Sequence, residues 1–238
     1  VHRLPAHVKV VTLLAFVIAV VATPREAFWA FGVYAGLLVV VAFVAKVPGP
    51  FIVKRMVVEI PFVVFALLLP FIAAGERIDV LGLSLSQEGL LAGWNILAKG
   101  TLGVVASILL AATTDARSLL LALQRLRVPP VLVEITSFMV RYADVITDEM
   151  RRMKIARESR GFVGGSRKQL GVVATSAGAL FIRSYERGER VHLAMLSRGY
   201  AGQLPVLEVQ TAAPVQWVSA ALLPLTALIV SVVAWITL

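Results

Sequence analysis

The chain has 238 residues and a formal net charge of +9, with 59% apolar and 16% charged residues and a mean hydropathy of +0.87. A water-soluble domain carries nearer a quarter of its residues as charges, so one soluble core is excluded and several membrane spans are implied. Cys is absent, which removes disulfides, thiol nucleophiles and thiolate metal sites.

Five apolar runs follow in chain order, each close to the ~20 residues that cross the hydrocarbon layer as a helix. The first, residues 8–22, is short, extends back through Pro5–Lys9 and ends at Thr23-Pro24-Arg25-Glu26. It leads straight into a second run without a small-residue cleavage pattern, so it reads as a span and not a signal peptide. The second run, 27–45, closes at Lys46 and Pro48-Gly49-Pro50. The third, 56–74, contains Pro61 and Pro70, which predict a kink or break. The fourth is 95–113 and the fifth 214–238. Gly32 and Gly36, and Gly103, Ser107 and Ala111, sit at four-residue spacing. That spacing allows close helix contact, and equally it can be mere tolerance of small residues in lipid.

Basic residues set the orientation. Arg3 and Lys9 precede the first run, Lys46, Lys54 and Arg55 lie between the second and third, and 15 of the 23 basic residues fall between Asp115 and Gln210. By the positive-inside rule the N-terminus and residues 113–212 are cytoplasmic and the C-terminus is external, in a plasma (inner) membrane. The expected organisation is therefore all-α. Residues 1–112 form four transmembrane helices, 113–212 a helical cytoplasmic coupling domain, and 213–238 a fifth transmembrane helix. The charge excess is a topology signal and does not imply a nucleic-acid partner.

Within the polar block, Asp115 predicts an N-cap for a helix through Arg127, and Pro129-Pro130 breaks it. A long helix restarts over 131–157, Gly164-Gly165 makes a turn, and another helix runs from about Arg167 to Arg198. Ion pairs at four-residue spacing are predicted for Asp148 with Arg152, Lys154 with Glu158 and Glu186 with Arg190. Residues 170–182 are apolar but too short for a span, and read as a helix packed inside a cytoplasmic or interfacial bundle, or less readily as a re-entrant element.

One phrase occurs twice in this block. Residues 156–162 read Ala-Arg-Glu-Ser-Arg-Gly-Phe and residues 194–200 read Ala-Met-Leu-Ser-Arg-Gly-Tyr. Each Ser-Arg-Gly can be a helix ending, with Gly in the left-handed cap and Arg at the negative end of the dipole. Capping of that kind leaves the recurring Ala and aromatic unexplained. Duplication beside a membrane favours two equivalent handles for a two-fold partner, with the planar five-donor Arg entering a groove.

At these residues the chain resembles the transmembrane T component of energy-coupling factor (ECF) transporters, most closely the CbiQ-type permeases of cobalt uptake. The resemblance also runs through Val1-His2-Arg3-Leu4, Trp94-Asn95-Ile96-Leu97-Ala98-Lys99, Leu110-Ala111-Ala112-Thr113-Thr114, Arg125-Leu126-Arg127-Val128-Pro129 and residues 181–190. It implies that Ser159-Arg160-Gly161 and Ser197-Arg198-Gly199 end coupling helices that dock on a pair of ABC-type ATPases. Ala156, Arg157, Ala194, Pro129 and Pro130 would support those helices. Family motifs more often carry Ala at the two Ser positions, and the acidic residue usual after the N-terminal Leu is Pro5-Ala6 here. The resemblance further implies a separate substrate-binding membrane subunit (CbiM-like, with or without a small CbiN-like subunit). It leaves this chain without a cofactor, ATP and Mg being held by the ATPases. Cobalt is the favoured cargo, with nickel or a vitamin such as biotin as alternatives.

Other functions find little support in the residues. No Gly-x-x-x-x-Gly-Lys-Ser/Thr, His-Glu-x-x-His or Gly-x-Ser-x-Gly motif occurs, so neither ATP binding nor a familiar hydrolase is indicated. Glu59 and Lys99, the ionisable groups nearest the spans, read as interfacial, with Lys99 snorkelling. A self-sufficient channel or secondary transporter lacks a polar pathway. His2, His7 and His192 are too scattered to form a metal site.

Overall fold

The computed structural model describes residues 4–80, 83–162, 170–202 and 213–237. The chain is an all-α membrane protein with one small β-hairpin. Its helices are α1 (Ala6–Ala22), α2 (Phe28–Val44), α3 (Gly49–Arg55), α4 (Ile60–Ile72), α5 (Gln87–Thr113), α6 (Ala116–Arg125), α7 (Pro130–Ser159), α8 (Leu170–Leu196) and α9 (Pro214–Thr237). A 3₁₀ turn, Met56–Glu59, joins α3 to α4, and β1 (Arg77–Val80) pairs antiparallel with β2 (Leu83–Ser86). By length and apolarity, Gly49–Ile72, α5 and α9 can cross a membrane; α1 and α2 are shorter apolar helices of the same character.

Two compact units divide the chain: residues 1–125 with 210–238, and residues 126–209. The first holds the membrane helices. Its core gathers Phe16, Phe31 and Tyr34 with Ala19, Ala30, Ala106, Ala227 and Ala234, all buried, from α1, α2, α5 and α9. Lipid tails are as apolar as Leu, so close packing holds such helices together, and Ala faces permit close approach. Helix α6, placed with the polar block by its composition, belongs to this unit: Ala122 is buried with Ala6 and Val10 of α1.

Helix ends in this unit are closed by side chains from other helices. The last four carbonyls of a helix lack internal partners, and in α1 all four are met. Thr23 serves two, its hydroxyl donating to the Ala19 carbonyl at 2.9 Å and its amide to Val20 at 3.3 Å. Lys99 Nζ of α5 donates to Val21 at 2.8 Å, and Trp235 Nε1 of α9 to Ala22 at 2.8 Å. Lys99 thus caps the negative end of α1. Lys9 of α1 returns the arrangement, donating to the Thr113 carbonyl at the end of α5 at 2.7 Å. The reciprocal contacts make α1 and α5 an antiparallel pair clamped near both ends.

Several boundaries differ from the sequence reading. Helix α5 starts at Gln87 because the Ser86 hydroxyl accepts from the Gly89 amide as an N-cap. That extension places Gly89 and Gly93 against α4, where an added Cβ would lie 2.7 Å from the Leu69 and Ala66 carbonyl oxygens respectively. Gly32, Gly36 and Gly103, singled out for packing, have nothing within 4 Å of such a Cβ. Helix α3 carries the third span back to Gly49, and the break falls at the 3₁₀ turn just before Pro61. Glu59 in that turn is 3% exposed and accepts from the Thr101 hydroxyl of α5 at 2.5 Å, so it is buried against α5.

The second unit contains α7 and α8. Pro129 is the N-cap of α7 and Pro130 its first residue, where a missing N–H costs nothing. Two cross-links orient the helices: Tyr200 with Glu134, and Arg183 with Glu149. Because partners late in α8 meet residues early in α7, the pair is antiparallel. Of the predicted ion pairs, Lys154–Glu158 and Glu186–Arg190 form, while Arg152 turns to Glu149 at 2.9 Å instead of Asp148. Residues 170–182 are the first half of α8, but they are not packed inside a bundle: Leu170 is 68% and Phe181 72% exposed. The predicted turn at Gly164-Gly165 and helix start at Arg167 lie outside the described residues.

Candidate functional site

Both copies of the repeated phrase fold the same way. The chain leaves α7 through Gly161 at φ +79° and α8 through Gly199 at φ +81°, a left-handed conformation that Gly adopts without a Cβ clash. The Phe162 amide donates to the Arg157 carbonyl at 3.1 Å and the Gly161 amide to Glu158 at 3.0 Å. In the second copy the Tyr200 amide donates to Met195 and the Gly199 amide to Leu196, each at 3.0 Å. These paired bonds are the Schellman ending of a helix.

The ending accounts for more of the phrase than capping was expected to. It favours apolar contact between the residue after Gly and the last full turn. Phe162 and Tyr200 occupy the first of those positions, and Ala156 and Ala194 leave room in the second. Phe162 also carries the Arg157 guanidinium over its ring at 5.6 Å. Ser159 and Ser197 turn their hydroxyls inward, donating to the Ile155 and Ala194 carbonyls at 3.0 Å.

The arginine joins each ending through its backbone amide, Arg160 to the Arg157 carbonyl and Arg198 to Met195, each at 3.0 Å, and its side chain forms none of these hydrogen bonds. Arg160 and Arg198 occupy the residue before Gly in each copy, both exposed, and among the described residues neither guanidinium pairs with an acid. Each tip therefore presents a planar cation on a backbone fixed by paired amide-to-carbonyl hydrogen bonds. The antiparallel arrangement puts the tips at opposite ends of the pair. From Glu134, beside Tyr200, to Arg160 is 26 residues of α7, about 40 Å at 1.5 Å per residue.

Between the tips, acids of α7 are hydrogen-bonded and apolar side chains are exposed. Glu149 receives Arg152 and Arg183, and these hydrogen bonds hold its carboxyl below the usual range. The Tyr200 hydroxyl, donating to Glu134, is raised above the usual phenol value, first by that bond and then by burial. Between the helices lies a cleft of about 340 Å³ lined by Phe138, Tyr142, Ile146, Arg187, His192 and Met195, among others. Val131, Met139 and Met150 of α7 and Tyr185 and Leu193 of α8 are more than half exposed. An apolar exposure of that extent marks a surface that partners or lipid cover. No group of three or more His, Asp or Glu is placed to hold a metal among the described residues. His7 instead packs its ring on Trp217 and His192 on Tyr200.

Sequence reasoning missed the tie between Tyr200 and Glu134. The signal, a tyrosine in one copy where the other has phenylalanine, was present in the sequence.

The chain is similar in sequence to known transport proteins. The chain is 26% identical over 194 residues to cobalt transport protein CbiQ of Rhodobacter capsulatus, covering 75% of this chain and 80% of that protein. It is 28% identical over 221 residues to energy-coupling factor transporter transmembrane protein EcfT of Staphylococcus aureus, covering 84% and 79%. A putative fused cobalt transport protein CbiMQ of Methanocorpusculum labreanum shares 30% identity over 113 residues, 48% of this chain and 19% of the fusion. Residues 1–211 match the family described as CbiQ, cobalt transport protein. The chain belongs to that family.

Proposed function

We propose that this chain is the transmembrane coupling component of an ECF-type importer, with cobalt as its cargo. Its two arginine tips dock on the two protomers of an ATPase dimer that binds ATP and Mg, and the membrane helices pass the ATPase movement to a separate substrate-binding membrane subunit. The observation that carries the reading is the pair of identically built tips, each with one exposed arginine side chain outside the hydrogen bonds of the ending. Their separation of about 40 Å suits two protomers better than one. The name of the S. aureus relative supports the transporter type, and the fused CbiMQ relative supports a CbiM-like partner. In this reading residues 113–212 face the cytoplasm, where the ATPases are, and the chain itself performs no hydrolysis.

The test is co-purification of the ATPases with chains that insert normally. Truncating one side of a buried charged contact costs about 2–5 kcal/mol. Arg160→Ala or Arg198→Ala should therefore weaken ATPase retention strongly, and the double variant should lose it. Lys keeps the charge without the planar fork and should rescue in part. Full retention by the double Ala variant would reduce the tips to helix endings.

A further inference from the structure

The two tips share a backbone but not a foundation. Past Gly199, Tyr200 donates its hydroxyl to Glu134 in the first turns of α7 at 2.5 Å, with its ring edge-on to His192 at 6.4 Å. Past Gly161, Phe162 has no hydroxyl to give, and its ring stays on Arg157 of its own helix. The second cross-link, Arg183 Nη1 to Glu149 at 2.7 Å, lies fifteen residues along α7 from the first, about 22 Å. Between the two links the helices enclose the aromatic cleft. Beyond Glu149, α7 continues for eleven residues to Arg160, about 16 Å. Over that stretch no hydrogen bond or ion pair joins residues 150–160 to 170–182 among the described residues.

We propose that α7 and α8 form an unequal lever. The half ending in Arg198 is a fixed foot, pinned at Tyr200–Glu134 and Glu149–Arg183. The half ending in Arg160 is an overhanging arm that takes up the ATPase movement. Tyr200 is then a positioning residue, acting on Arg198 by holding its tip to α7. The inference rests on the coupling role proposed above and adds to it that the two docking contacts are mechanically different. A symmetric ATPase dimer would be read asymmetrically by one chain.

Paired spin labels in the full transporter, reconstituted with its ATPases and membrane partner, test this. One pair, at Val131 and Leu196, spans the pinned half; the other, at Ile155 and Val173, spans the open half. Adding ATP with vanadate should move the second pair and leave the first narrow. Tyr200→Phe keeps the aromatic cap and removes the pin. A hydrogen bond to a charged group holds a closed population by about tenfold or more, so this variant should broaden the first pair and lower cobalt uptake per ATP hydrolysed. Glu134→Gln, which retains an acceptor, should lie closer to wild type, and Tyr185→Phe, on an exposed face of α8, should change neither readout. Equal movement of both pairs in the wild type would overturn the inference, as would an unchanged first pair in Tyr200→Phe. Failure of the ATPases to assemble with the unmodified chain would instead refute the coupling role itself.

Discussion

The membrane unit and the α7–α8 unit solve the same problem, how to hold long helices together, in opposite ways. In the first, helix ends are closed by side chains from neighbouring helices: Lys99 and Trp235 on α1, Lys9 on α5. Small residues bring the backbones close, down to Gly89 and Gly93 against the carbonyls of α4. In the second, Tyr200–Glu134 and Arg183–Glu149 tie a 30-residue and a 27-residue helix, and among the described residues Val133 is the one residue of the two helices that is buried. The first unit is stitched at its helix ends, whereas the second leaves the Arg160 and Arg198 side chains exposed at its tips.

The sharpest way to break this contrast is to overfill the tight contact. Gly93→Val or Gly89→Val would drive a side chain into α4 backbone already 2.7 Å from a bare Cβ. Overpacking of this kind costs about 1–3 kcal/mol or more, and melting in detergent should fall by several degrees or expression should fail. Next comes the clamp. Lys99→Met leaves the Val21 carbonyl without its cation, a loss of about 1–2 kcal/mol, readable in the same melting assay, and Lys99→Arg should recover much of it.

In the α7–α8 unit the corresponding lever is pH. Glu149 is held below the usual carboxylate range by Arg152 and Arg183. Its contribution is present above the unfolded value and is lost as pH falls through the lower folded value. Hydrogen exchange along 140–159 and 180–190 should therefore quicken on acidification below about pH 4, and Glu149→Gln should flatten that response. The smallest effect is expected at Gly32→Ala and Gly36→Ala, which meet open space. A helical Gly→Ala change there is neutral to stabilising by about 0.5–1 kcal/mol, so loss of stability at these sites would mean that they pack on a neighbour after all.

Much of this was legible beforehand, and the misses share a cause. Apolar runs, caps and the duplicated phrase are local signals, so the helices and both arginine tips could be read from Asp115, Pro129, Gly161 and Gly199. What depended on distant neighbours could not. The bond of Lys99 to the end of α1 joins residues 78 apart in sequence. The burial of Glu59 likewise depends on α5, where Thr101 meets it. The glycine spacing was correct as a pattern, but the pair that packs lay in a stretch too polar, with Gln87 and Glu88, to count as a span. The aromatic of the repeat was misjudged for a different reason. A Schellman ending asks for it, so the aromatic belongs to the cap.

Those arginines decide the central claim. Photo-crosslinking amino acids placed together at positions 160 and 198 of one chain, in the assembled transporter, would report which proteins each tip touches. The account predicts an adduct of one chain with two ATPase protomers, and a one-to-one adduct when either position is used singly. Adducts with the membrane partner or lipid from both positions, and none with the ATPases, would contradict it.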